Sequence, residues 1–159
     1  MIAEPVRTRG SITQETLRLM QRHIDDWSKH PAFVQLSRRV ASLAKARTPE
    51  DEAWSVWAWI RSTVTYRADP VGTQWIQDPW ETAVKSRAGN CANMATLAGT
   101  MLQALGHPAM ATAVHWEDRN DWTHAVVKDL KINRVIDPVS PSFDWPPQGR
   151  QVKALMGAE

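Results

Sequence analysis

Cysteine is almost missing from this chain: Cys91 is the only one in 159 residues. A lone cysteine excludes an internal disulfide and fits a reducing compartment, or an exported particle assembled in one. No apolar run approaches the roughly 18–20 residues that a spanning helix needs, so membrane insertion is not expected. The start, Met1 to Arg7, lacks a basic region followed by an apolar stretch, which predicts no signal peptide and a cytoplasmic location. Neither sign of charge dominates. Nineteen basic and 17 acidic residues leave a formal charge of +2, too balanced to imply a nucleic-acid partner or a charged membrane surface. The basic residues at 38, 39, 45 and 47 read as an exposed helix face. A metal-ligand spacing such as H-E-x-x-H is also lacking. His23 and His30, with Asp25 and Asp26, read as solvated helix residues, so no metal or cofactor is expected. There is no internal repeat or low-complexity tract.

What is present is a hydrophobic fraction of 43%, enough for one buried core, and nine tryptophans, which suggest an aromatic-rich core or groove. Residues 1–10 read as a loose arm. Ser11-Ile12-Thr13-Gln14 has capping-box form and opens a helix to about residue 29 with Leu17, Met20, Ile24 and Trp27 on one face. A second helix carries Phe33, Leu36, Val40 and Leu43. Thr48-Pro49-Glu50-Asp51 starts a third, through a Thr cap, Pro at the first position and acids at the positive helix end. Trp54 and Trp57 on this helix read as core. Residues 66–80, with two Asp-Pro pairs and a glycine, read as a long loop, and a loop of that length in a small domain points to function. A short helix is expected over 80–87 and a longer one over 91–105, with Cys91, Met94, Leu97, Ala98, Met101, Leu102 and Leu105 on one face. The period then changes to two: 109–116, 122–128 and 132–137 read as strands. The proline-bearing tail reads as mostly irregular. Helices followed by an antiparallel sheet make an α+β fold. Within a single domain, we assign 1–48 to an N-terminal arm and helical segment, 49–140 to the core and 141–159 to a Pro-rich tail.

Cys91 stands at the start of the 91–105 helix. A free thiol is a poor nucleophile at neutral pH, whereas a helix N-terminus offers unpaired N–H groups and partial positive charge that favour thiolate. The same amides could donate to an oxyanion, and Gly89 would let the backbone turn just before the thiol. If the hairpin joining 122–128 to 132–137 is centred between residues 130 and 131, His124 lies directly opposite Asp137 on one sheet face. Leu130-Lys131 is a poor two-residue turn, so that register is the weak step. The result is a nucleophile, a base and an orienting carboxylate in the order Cys91, His124, Asp137. His115 is the rival base, disfavoured because no hairpin partner supplies it with a carboxylate. Cys91 as an inert core thiol is the competing reading, since it shares the apolar stripe of its helix. Trp116, Trp122 and Trp145 either wall a groove or fill one side of the sheet.

Gly89-Asn90-Cys91 and its apolar helix, Leu105-Gly106-His107-Pro108-Ala109, Thr123-His124-Ala125-Val126-Val127 and Val135-Ile136-Asp137-Pro138 together resemble the transglutaminase-like superfamily. The stretch from Tyr66 to Trp80 is similar to members encoded by bacteriophages and prophages. The resemblance covers roughly residues 50–140. It implies a papain-like fold, with Cys91 as nucleophile, His124 as base and Asp137 as orienter. It also implies acyl transfer at amides of a protein or peptide: hydrolysis, deamidation or crosslinking, with no metal or cofactor. In such folds a second oxyanion donor comes from upstream of the nucleophile. Trp75, Gln74 and Gln77 are the candidates, with Trp75 preferred because an indole N–H only donates. Two positions depart from the family pattern: Asn90 stands where Asp is usual, and Val126 where an aromatic is common. The phage-like resemblance also opens a second reading, in which a virion component keeps the fold for assembly with other virion proteins. A third is an inactive binding module.

Overall fold

The computed structural model describes residues 3–7, 11–69 and 73–159, with side chains at 11–69 and 75–159. Three helices come first: α1 (Gln14–Trp27), α2 (Pro31–Leu43) and α3 (Pro49–Thr63). The cap of α1 is Thr13, whose hydroxyl accepts from Thr16 N–H, rather than Ser11, which hydrogen-bonds Asp121 instead. His30 caps α2 through Nδ1, and Thr48 caps α3 by accepting from Asp51 N–H. Of the two tryptophans expected in the core of α3, Trp54 is exposed, while Trp57 is half-buried and packs on the core. His23 is half-buried rather than solvated; His30 is exposed.

The arm and the long loop hold more structure than their sequences suggest. Strand β1 (Ala3–Arg7) pairs antiparallel with β3 (Thr73–Gln77), and β2 (Thr65–Tyr66) pairs parallel with β4 (Ala88–Gly89). Between β3 and β4 the short helix expected over 80–87 is a π-turn at Glu81–Lys85. Both strand pairs are long-range, and the prolines and glycine in these stretches hide them from local patterning.

Helix α4 (Cys91–Ala104) is the centre of the molecule. All residues from Cys91 to Leu102 are buried, so the helix is enclosed on every side rather than along one stripe. Its small residues make this possible. Gly99 packs so closely on α1 that a Cβ there would fall 2.6 Å from Ile24 Cδ1. The buried hydroxyls of Thr96 and Thr100 donate back to the carbonyls of Ala92 and Thr96, which satisfies them inside the helix. Helices α1, α2 and α3 pack on one side of α4, and β5 (Ala109–Trp116) and β6 (Trp122–Asp129) on the other. Gly106, at φ +89°, follows the end of the helix in the left-handed region that glycine favours.

The main sheet is antiparallel in the order β7-β6-β5-β8, where β7 is Arg134–Ile136 and β8 is Val152–Gly157. The tail is therefore not simply irregular, since β8 adds an edge strand to β5. The turn between β6 and β7 also differs from a tight two-residue one. Val127 pairs with Ile136, Lys128 with Val135 and Asp129 with Arg134, which leaves a four-residue loop, Leu130 to Asn133. Asp129 builds it by accepting from the N–H groups of Lys131 and Ile132, and Asn133 closes it at φ +53°. Extended past β7, this register sets position 139 opposite His124 and puts Asp137 on the adjacent diagonal of the same face. The architecture is α+β: helices packed on an antiparallel sheet around one buried helix.

Candidate active site

Each end of the site is placed by a different device. The two-residue β2–β4 ribbon, extended by Arg67 N–H donating to Gly89 O, delivers Cys91 to the first turn of α4. Gly89 is required here by space rather than by an unusual turn. A Cβ on it would lie 2.7 Å from Asn93 Cβ, too close for any other residue without a shift. Asn90 caps α4, accepting from Asn93 N–H at 2.9 Å, while its Nδ2 donates to Asp69 Oδ2 at 2.7 Å. This explains the departure from aspartate. An Asp at 90 could cap the helix but would set two carboxylates against each other at Asp69. With Asn93 capped and Met94 N–H bonded to Asn90 O, the amides of Cys91 and Ala92 have no partner within the helix.

The other end is the His124–Asp137 pair. His124 Nε2 meets Asp137 Oδ2 at 2.8 Å. Asp137 is itself held from several sides. Its Oδ1 accepts from Val139 N–H (3.1 Å) and its Oδ2 also accepts from the Trp145 indole (3.3 Å). Helix α3 grips the same turn, as Trp57 Nε1 donates to Asp137 O and Arg61 to the carbonyls of Pro138 and Val139. With Nε2 on the carboxylate, the other ring nitrogen of His124 is left for Cys91, which lies close enough to act on the charge of the ring. Burial works against a charged imidazole here. The bonds to Asp137 and to Cys91, and the attraction of both for a positive ring, overcome it and push the His124 pKa up to about 10. Cys91 is buried, at 7% exposure, and the His124 side chain retains 15%.

Of the residues singled out in the sequence, the structure thus brings Cys91, His124 and Asp137 together. The upstream candidates lie differently. Gln77 is buried, with its side chain on Thr82 Oγ1 (2.8 Å) and its N–H donating to Asn93 Oδ1. Trp75 is exposed, and its N–H donates to the Asp69 carboxylate that also holds Asn90. The side chain of Gln74 lies outside the described residues. His115, the rival base, bonds the Arg119 carbonyl and faces Trp122.

Sequence reasoning missed Tyr66, the only tyrosine. Burial first, then the charges of Cys91 and Asp69, hold its pKa above the ordinary value, which marks it as a neighbour of the thiol. It sits on β2 beside Gly89, so only the ribbon pairing reveals it. Asp69 and Arg150 were missed as well. The tryptophan question resolves by position: Trp116 stacks on His124 (ring centroids 6.0 Å, 25° between planes) and touches Trp145, so both wall the His124 side. A cavity of about 210 Å³ opens there, bounded by Trp116, His124, Asp137, Ser140, Pro147 and Arg150.

Among the described residues, no helix is long and apolar enough to cross a membrane. No curated protein matches the sequence. Two solved structures share the fold. A proposed cysteine protease from Cytophaga hutchinsonii aligns at TM-score 0.58 and 16% identity, over 97% of this chain and 54% of that one. A proposed protease from Parabacteroides distasonis ATCC 8503 aligns at TM-score 0.57 and 16% identity, over 81% of this chain and 26% of that one. The chain therefore spans about half and about a quarter of the lengths of these two proteins. The signature of the transglutaminase-like superfamily matches residues 35–135, from α2 to β7, stopping two positions short of Asp137. By that match, which runs over more than half of its length, the chain belongs to the transglutaminase-like superfamily.

Proposed function

We propose that this protein is a cysteine acyl-transfer enzyme that cleaves amide bonds of proteins or peptides, with Cys91 as nucleophile, His124 as base and acid, and Asp137 as orienter. The observation that carries the reading is His124, bonded through Nε2 to a buried carboxylate, with the one cysteine of the chain as its charge-sensing neighbour. In the proposed first step His124 takes the Cys91 proton, which leaves the sulfur as the thiolate nucleophile. The thiolate attacks the amide carbonyl carbon, forming the C–S bond and a tetrahedral oxyanion. As the C–N bond breaks, His124 passes its proton to the leaving amine. Water then attacks the thioester, His124 takes the water proton, and the acid leaves as the C–S bond breaks.

The free amides of Cys91 and Ala92 supply oxyanion donors at the helix N-terminus. We assign the second donor to Trp75. Its support is Asp69, whose carboxylate ties the backbone N–H of Trp75 to Asn90, the residue preceding the nucleophile; the donor itself would be the indole N–H. Gln77 is disfavoured because its side-chain NH2 is spent on Thr82 Oγ1 (2.8 Å) and the Ala88 carbonyl (3.1 Å). Hydrolysis is preferred over crosslinking, since water is the default acceptor. The pH dependence of Cys91 alkylation, with and without His124, tests the reading.

A further inference from the structure

The cavity beside His124 has a chemistry that the triad does not use. Its walls are the stacked Trp116, the His124–Asp137 pair, and Arg150. Arg150 lies over the Trp116 ring at 4.1 Å, and Trp116 is itself stacked on His124. A guanidinium held over an aromatic ring can still present a planar N–H edge, which is the geometry that receives a carboxylate. One edge holds Asp118 at 2.9 Å, but that acid is 66% exposed, and such surface pairs exchange readily. Arg150 Nε is different: it is buried and has no hydrogen-bond partner among the described residues. A guanidinium that is left under-satisfied and lines a cavity calls for an acceptor at the edge it presents there.

Position relative to the chemistry says which part of a substrate would bring that acceptor. The cavity is bounded by His124 and Asp137 and not by Cys91, so it lies on the imidazole side of the thiol. His124 hands its proton to the leaving amine, so the leaving group must sit on that side. At about 210 Å³ the cavity is smaller than a typical drug-sized pocket and suits a group of about one residue. Resting on the cysteine-enzyme reading above, we propose that this cavity is the leaving-group subsite and that Arg150 makes it selective for a carboxylate carried close to the scissile amide. The substrate class is then a peptide whose leaving portion is a C-terminal amino acid with a free carboxylate.

The test is binding of the leaving portion alone, which requires no turnover. The native protein, Arg150→Ala and Arg150→Lys are each titrated with alanine and with alanine amide, while the indole N–H signals of Trp116 and Trp145 are followed by NMR. The native protein should bind the free carboxylate about tenfold tighter than the amide, as a charge-assisted bond gives. Arg150→Ala should erase that preference, and Arg150→Lys should keep part of it. Equal binding of the two ligands, no shift with either, or a preference that survives Arg150→Ala overturns the subsite. The catalytic reading fails separately. If Cys91 alkylation proves independent of His124 while the carboxylate preference holds, the enzyme assignment falls and the anion site stands.

Discussion

Replacing Asp137 with asparagine keeps the side-chain shape and removes its charge. The native carboxylate is buried and accepts three bonds: from His124 and Trp145 on Oδ2, and from Val139 N–H on Oδ1. Asparagine has one oxygen and one NH2. With the oxygen toward His124 and Trp145, the NH2 faces the Val139 N–H and leaves a buried donor unmade, a cost of about 1–3 kcal/mol. In the flipped orientation the NH2 faces His124, which forces the ring proton onto the nitrogen meant for the thiol. The charge effect comes on top of this. His124 stands at about 10 rather than 6.5 because Asp137 and Cys91 both favour its proton against burial. Losing the Asp137 share should weaken proton binding at His124 by at least about tenfold, or ~1.4 kcal/mol. Because the folded value is raised, the stability that it contributes is complete below about pH 6.5 and is lost as pH rises through about 10. NMR titration of the His124 ring in the native protein and in Asp137→Asn reads the first effect. Urea unfolding at about pH 7 and near pH 10 reads the second, and the gap between the two proteins should narrow at the higher pH. A His124 titration unchanged by Asp137→Asn would refute the reasoning.

Gly89→Ala places a methyl 2.7 Å from Asn93 Cβ, within the turn that carries Cys91. It should lower stability by about 1–3 kcal/mol in chemical denaturation, because both neighbours are backbone-anchored. His107 offers a prediction away from the site. It is fully buried between Asp129 (2.7 Å) and Glu52 (2.9 Å), tying the end of α4 to β6 and α3. Burial opposes its charge, but the bonds to both carboxylates win and raise its pKa. His107→Ala leaves the buried Asp129 carboxylate without its charge partner and should cost about 3–5 kcal/mol. In the native protein the contribution of His107 is complete below about pH 6.5 and fades as pH climbs through the raised value. A pH-independent difference between native and His107→Ala would contradict it.

The elements with strong local signals were legible in the sequence. The Thr48-Pro49 start, the apolar run after Cys91 and the period-two strands each reappear as α3, α4, β5 and β6. What was not legible depends on distant partners. β1 and β3 pair across some seventy positions, and Tyr66 meets Cys91 only because β2 lies beside β4. The β6–β7 register was misplaced because Asp129 builds a four-residue loop from its own side chain, which residue spacing alone does not reveal. The displacement was even, so His124 and Asp137 stayed on one sheet face and still meet at 2.8 Å. Arg150 was invisible for the same reason as Tyr66: nothing near it in sequence says that the tail returns over Trp116.

The central claim is that His124 activates Cys91, and the alkylation rate of Cys91 against pH tests it most directly. Because Cys91 is the only cysteine, iodoacetamide uptake followed by mass reports on it alone. The native protein should react readily near pH 6, where an ordinary thiol is almost entirely protonated. His124→Ala should slow that reaction by about tenfold or more, leaving a rate that climbs only toward pH 8.5. If the two proteins instead react with the same pH profile, Cys91 is an inert thiol of the core and the enzyme reading is contradicted.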